Sequence, residues 1–293
     1  MLNKLKSAYR LSKRIKDDQL NVDRLSEYDL LLQVNNNLFR VCIIDSQNHR
    51  CLFIEDYEFS AVFFPEQIIS LLESIYDDHH LLQAGFWRSI KLSFKTQSFT
   101  LVPASLFEKD NAADYLLLNS EINSSEEIHY YQQSSLEAVN VFSVEKKIAD
   151  WFTNAYPSRS VKLLHHTCSF LEGSLHRDNK GQRSLYLNVE KNFFTATVVH
   201  DKTIEFCNSF SFSSAEDFVY FVMYVFDQLK LNPESTPVVI WGEIENNSVI
   251  YNKLYKYVRF ISLGDRPKGL KFSYQFDECF DHRYFDLFTI HFC

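Results

Sequence analysis

The sequence predicts an α/β fold built twice in tandem, each unit a mixed sheet flanked by helices. Three observations carry this. The stretch 29–45, DLLLQVNNNLFRVCIID, aligns with 184–200, SLYLNVEKNFFTATVVH, matching Leu30 with Leu185, Leu32 with Leu187, Val34 with Val189, Asn37 with Asn192 and Phe39 with Phe194. The same order of elements then follows each copy. Finally, aromatic residues make up 16% of the chain while glycines number only six, against roughly twenty at average usage of about 7%, which favours strands and helices over glycine loops.

Each copy opens as strand, tight polar corner, strand, because period-two alternation breaks at the same point. A third strand follows, RCLFIEDYEF and KTIEFCNSFSF. A helix comes next. PEQIISLLESIY starts with Pro65 at a first helical position and sets Ile68, Ile69, Leu72, Ile75 and Tyr76 on one face; SSAEDFVYFVMYVFDQL is announced by a capping box, Ser213 with Glu216. A further strand closes each series, RSIKLSF and PVVIWGEI. Three meandering strands, a helix and a strand describe a ribonuclease H-like unit, and two in tandem describe the actin-like ATPase architecture. Between the copies, 106–135 reads as acidic loop around a short helix, SVEKKIADWFTNAYP as a helix, VKLLHHT as a strand and CSFLEGSLHR as a helix. The expected organisation is a basic N-terminal segment at 1–25, a first lobe at 26–178 and a second at 179–293, joined at DNKGQR, with the chain end free to pack back on the first lobe.

Composition narrows the function. The net charge of −8 argues against general nucleic-acid binding. No apolar run approaches a membrane span; the longest, Phe218 to Phe226, is expected to be a helix buried on two sides, between lobes or in a homodimer contact. The basic start lacks the apolar core of a secretory signal, and six cysteines without a C-x-x-C pair read as reduced, mostly buried thiols, so the expected compartment is the cytoplasm. Lys4, Lys6, Arg10, Lys13, Arg14 and Lys16, with Leu2, Leu5, Tyr9 and Ile15 loosely on one helical face, leave peripheral contact with an acidic membrane open; a frayed, solvated terminus is favoured.

By this layout, and by SFSFSSAEDFVYFVMYVFDQLKL and VVIWGEIENNSVIYNKLYKYVRF, the chain resembles over residues 26–293 a bacterial family of uncharacterised proteins with an actin-like ATPase fold, domain-of-unknown-function family 3822. More distantly it is similar to pilus-assembly and secretion members of the actin-like superfamily. The resemblance implies a nucleotide cleft with an Asp-x-Gly at each strand-to-strand corner, the Asp organising Mg²⁺ and water and the Gly admitting phosphate to backbone N–H groups. The matching positions are Gln33-Val34-Asn35 and Asn188-Val189-Glu190, without either aspartate or glycine. Glu190 adds a carboxylate where phosphates would lie, and two like charges about 4 Å apart cost roughly 4 kcal/mol at an effective dielectric of 20. Lys191 offsets part of that. The adenosine-side glycine pair is Trp241-Gly242, with an indole where a base needs space. The vestigial cleft would thus comprise Asn35, Asn37, Asn188, Glu190, Lys191 and Gly242. The expected function is a non-enzymatic actin-like scaffold that contacts a protein partner and uses no cofactor; the alternative is a nucleotide-binding switch or weak ATPase taking ATP with Mg²⁺ at an altered phosphate site.

Other constellations read more simply as structure. His165, His166 and Cys168 suggest a ligand cluster or a Cys-His pair, but successive strand residues face opposite sides, so surface strand histidines are favoured. Asp277, Glu278, Cys279, Asp281 and His282, with His291 and Cys293, mix hard and soft ligands at no familiar spacing and read as a solvated acidic turn before an aromatic-rich terminal helix. Asp29 and Asp45 lack the further carboxylates of a two-metal nuclease.

Overall fold

The computed structural model describes residues 8–60, 62–133, 135–177 and 181–293. The first lobe runs β1 (Tyr9–Lys16), β2 (Tyr28–Val34), β3 (Leu38–Asp45), β4 (Arg50–Phe59), α1 (Pro65–Asp77), α2 (His80–Gln83), β5 (Ser89–Phe94), β6 (Phe99–Pro103), α3 (Ala112–Leu117), β7 (Glu126–Gln132), β8 (Ala138–Glu145), α4 (Lys146–Ala155), β9 (Val161–His165) and α5 (His166–Leu175). The second runs β10 (Ser184–Val189), β11 (Phe193–His200), β12 (Thr203–Ser211), α6 (Ala215–Gln228), β13 (Val238–Gly242), α7 (Val249–Leu254), β14 (Ile261–Leu263), α8 (Phe285–Phe288) and a last 3-10 turn, Thr289–Phe292.

The two main sheets share one topology. Strand order is β4-β3-β2-β5-β9 in the first and β12-β11-β10-β13-β14 in the second, with the outer three strands antiparallel and the rest parallel. The repeated corners match in register, Val34 opposite Phe39 and Val189 opposite Phe194. Both strands of each hairpin are buried on both faces except His200 at the end of β11, as parallel-sheet neighbours covered by helices must be. Pro65 opens α1, with Gln67 Oε1 accepting from the N–H groups of Phe63 and Phe64.

Five expectations are corrected. Residues 9–16 are neither a frayed, solvated terminus nor a helix: β1 adds antiparallel to the open edge of β4 and buries Ile15. Alternation there was masked by four basic residues that face water. Lys4 and Lys6 lie outside the described residues. The stretch read as acidic loop contains β7, part of a three-stranded sheet β6-β8-β7 with its own small core of Val102, Leu116, Val139 and Val141. Its pattern, EEIHYYQ, hid because both faces of β7 are half-wet. The capping box of α6 is Ser214 with Asp217, one residue later than predicted: Ser214 Oγ accepts from Asp217 N–H, and Asp217 Oδ2 from the N–H of Ser213 and Ser214. That helix is not buried between the lobes, since within the chain Tyr220 and Tyr224 are 63% and 46% exposed. The surface reading of His165 and His166 also fails, because both are fully buried.

The first core lies between the six-stranded sheet and α1 and α4, around Phe39, Leu72, Tyr76 and Phe152. Another fills the space between the second sheet and α6. The opposite face of that sheet meets α5, which is buried along its whole length and places Phe170 against Trp241 and Phe285. After β14 the chain returns to the first lobe, where Phe276, Leu287, Phe288 and Ile290 join its core. The predicted link is described only from Gly181 onward, residues 178–180 being outside the described set.

Candidate functional site

The two corners predicted to face a nucleotide do face one another, and what lies between them is charge of the protein's own making. Glu190, at the β10–β11 corner, is buried and ion-paired to Lys95, which directly follows β5. Lys95 Nζ also lies 2.8 Å from Asp286 Oδ2 in α8. Gln33, where the first motif would hold its aspartate, donates from Nε2 to the same Asp286 oxygen at 2.9 Å. Its Oε1 accepts from Arg40 Nη1 at 3.3 Å. Arg40, buried on β3, pairs with Asp56 on β4 at 3.1 Å and with Glu243, just after β13, at 2.9 Å. Arg283 meets the same Glu243 oxygen at 3.4 Å.

These groups come from both lobes and the returning C-terminal segment. Their charges nearly cancel: Arg40, Lys95 and Arg283 oppose Asp56, Glu190, Glu243 and Asp286. Burial is the first force on Glu190, and it pushes that carboxyl up to about 7 even beside Lys95. With that proton held, three cations meet three anions. Burial also works against Asp286, yet Lys95 and Arg40 with the bond from Gln33 hold its carboxyl below the usual range. Arg40 and Arg283 do the same for Glu243.

The remaining predicted residues are placed as follows. Asn35 spends its side-chain oxygen on its own corner, accepting from Asn37 N–H at 2.7 Å and Leu38 N–H at 2.9 Å. Asn188 is buried on β10 between Thr195 and Trp241 in register. Gly242 has φ +95°, and a Cβ there would sit 2.1 Å from Val189 O, so the parallel strand beside it already accounts for this glycine. Trp241 does not project into the cleft: it is buried, stacked on Phe285 at 4.4 Å with Nε1 donating to Asp265 O. Beside the charged cluster, with Asp56, Glu190, Glu243 and Arg283 forming part of its wall, a cleft of about 340 Å³ remains, lined also by Asn35, Asn37, Glu58, Lys191 and Asn192. Lys191 is exposed and makes no ion pair among the described residues.

ATP with Mg²⁺ fits this arrangement poorly. The corners present Gln33 and Glu190 in place of metal-organising aspartates, and the cations nearest them are already spent on carboxylates. Sequence reasoning missed Arg40, Lys95, Glu243, Asp286 and Arg283. A signal existed: Lys95 follows RSIKLSF just where the second lobe's strand ends in Trp241-Gly242, and Arg40 interrupts LFRVCIID at a buried position.

The other constellations dissolve into structure. His165 caps α5, its Nδ1 2.7 Å from Thr167 Oγ1, while His166 Nε2 meets Thr195 Oγ1 at 3.0 Å. Burial holds both imidazoles well below the ordinary value, with mutual repulsion adding at His165 and Lys95 adding at His166. Asp29 is paired with Arg88 and bonded by Ser89. Asp45 caps the turn at Gln47 and Asn48. Arg266 pairs with Asp277 and Asp281. His282 is buried against Ile244 O. Among the described residues no group of three or more His, Cys, Asp or Glu side chains is placed to hold a metal ion. Nor is any described helix long and apolar enough to cross a membrane.

The family model described as protein of unknown function, DUF3822, matches residues 17–261. The chain belongs to the DUF3822 family. Among solved structures, this DUF3822 chain is similar to a protein of Bacteroides thetaiotaomicron VPI-5482 with an actin-like ATPase fold and unknown function, at TM-score 0.81 and 16% identity over 94% of this chain and 99% of that one. It is also similar to a chain of the PilM-PilN type IV pilus biogenesis complex, at TM-score 0.54 and 9% identity over 90% and 96%. No curated protein matches the DUF3822 sequence. At these identities the likeness establishes the fold, which is the actin-like ATPase fold with two ribonuclease H-like lobes.

Proposed function

We propose that this DUF3822 protein is a non-enzymatic actin-like scaffold whose work is contact with another protein. The observation that carries the reading is the buried cluster of Arg40, Lys95, Glu190, Glu243 and Asp286 at the corners where the fold would hold phosphates. A nucleotide entering there would have to strip Lys95 and Arg40 from their carboxylates, leaving buried anions beside its own. The solved likeness to a chain from the PilM-PilN complex supports a role in assembly for a member of the same fold. As part of the same proposal the protein acts in the cytoplasm, consistent with six cysteines that are all unpaired.

The test is thermal unfolding with and without millimolar ATP, ADP and Mg²⁺. The expected result is no shift. A nucleotide-specific rise, amounting to about 2.7 kcal/mol at a hundredfold excess over Kd, would overturn the reading. The alternative, a small anion held by Lys191 and Arg283 in the outer cleft, sets two cations against Asp56, Glu58, Glu190 and Glu243, which line the same cleft. It requires stabilisation by phosphate or a nucleotide that vanishes in Lys191→Ala.

A further inference from the structure

We propose that the groove between β6 and β12 binds an extended segment of a partner polypeptide by strand addition. This rests on the scaffold reading above and gives it a site. The groove, about 810 Å³, is lined by residues 97–101, 119–121 and 204–209, so an edge strand of the small sheet faces an edge strand of the second lobe.

Ladder parity shows what each edge offers. Ser98 O accepts from Ser143 N–H and Glu137 O from Ala104 N–H, so the even-numbered positions of β6 face β8. Phe99 and Leu101 therefore turn their N–H and C=O groups outward. In β12, Asn192 O accepts from Phe212 N–H, which sets the even positions against β11 and turns Cys207 and Ser209 outward. Asn208 Oδ1 takes the Ser209 N–H. The N–H groups of Phe99, Leu101 and Cys207 thus point away from the strands that β6 and β12 pair with. The edges converge where Ser211 Oγ donates to Gln97 Oε1 at 2.9 Å.

β12 runs nine residues without proline, and past the irregularity opposite Val198 and Val199 its residues 206–211 keep a regular register, an edge of a kind usually blunted against pairing. At about 3.3 Å rise, 4.8 Å between strands and 10 Å between sheets, a strand residue takes roughly 160 Å³, so the groove holds about five residues. A strand from a second folded copy is already paired on one side. A lone extended segment has both sides free, and this groove has ladder groups on both walls. Glu121 on the rim makes no ion pair among the described residues, so the fitting segment carries a basic residue opposite it.

The experiment pans a phage-displayed random nonapeptide library on the full-length protein, then titrates the best peptide by calorimetry and maps amide hydrogen exchange. The expected outcome is binding that protects the amides of Phe99, Leu101 and Cys207 and weakens at least tenfold when alternate peptide nitrogens are methylated. Cys207→Pro, checked for an unchanged melting transition, should weaken binding similarly. A peptide that protects other amides, or is indifferent to N-methylation, overturns the site and leaves the scaffold reading standing. So does a dimer that protects these amides without peptide. A library without any binder tighter than about 100 µM overturns it as well, and if ATP then stabilises the protein the scaffold reading falls separately.

Discussion

Glu190 is the residue on which the cleft's behaviour with pH turns. In the unfolded chain its pKa is near 4.5, whereas burial raises it to about 7 in the fold. A folded state that keeps its proton longer is favoured fully below pH 4.5, and that contribution is lost as pH rises through about 7. The buried His165 and His166 act oppositely: kept neutral in the fold, they contribute stability that is lost as pH falls below about 6.5. Glu190→Gln separates the two effects. Measured by urea unfolding, the variant should gain on the parent by on the order of 2–3 kcal/mol between pH 5 and 8, and a constant difference would show that Glu190 is ionised throughout. Lys95→Met removes the cation ion-paired to both Glu190 and Asp286, and should cost about 3–5 kcal/mol at pH 7. Adding Glu190→Gln should restore part of that loss, and simple additivity of the two changes would count against direct coupling. Little of this was legible in sequence. Absence of Asp-x-Gly could be read at Gln33 and Glu190, but the replacement network joins residues from 33 to 286 whose proximity only the fold creates.

At the level of elements, α5 and the returning segment depend on one another. Gly173 leaves room for it: a Cβ there would lie 2.5 Å from Thr289 Cγ2 and 2.8 Å from the Phe285 ring. Gly173→Ala should therefore lower stability by about 1–3 kcal/mol despite improving helix propensity, and a neutral or higher melting temperature would refute the tight fit. β1 offers a second test. Removing residues 1–16 bares the β4 edge and uncovers the cavity left by Ile15, so hydrogen exchange in β4 should quicken while that of β10 to β13 stays unchanged. The duplicated strands, α1 and α6 were readable because both lobes bury strands on two faces and helices on one. β1 and β7 were not, since edge strands exposed in part on both faces lose the apolar alternation that marks a strand.

Across the whole molecule, the lobes are tied by α5 lying against the second sheet, by the charged cluster and by the C-terminal residues in the first core. Such sharing predicts one cooperative transition, with calorimetric and van't Hoff enthalpies equal; two separate transitions would mean that the lobes are stable alone. Opening of the cleft would expose Lys95, Glu190 and Asp286 together, which are buried in this structure. The tandem architecture was visible in the repeat at 29 and 184, whereas the closure of the cleft was not, as no local pattern reports what two corners 155 residues apart hold between them.

The return of Phe276, Leu287, Phe288 and Ile290 to the first lobe has a consequence for synthesis. On the ribosome the chain emerges in order, so the sheet of the first lobe is made early yet waits for more than a hundred further residues before its core can close. The second lobe's inner core, complete by Leu263, can form first. Biogenesis then runs against the order of the chain, and a nascent first lobe with an unfilled core is the species that would need chaperone cover.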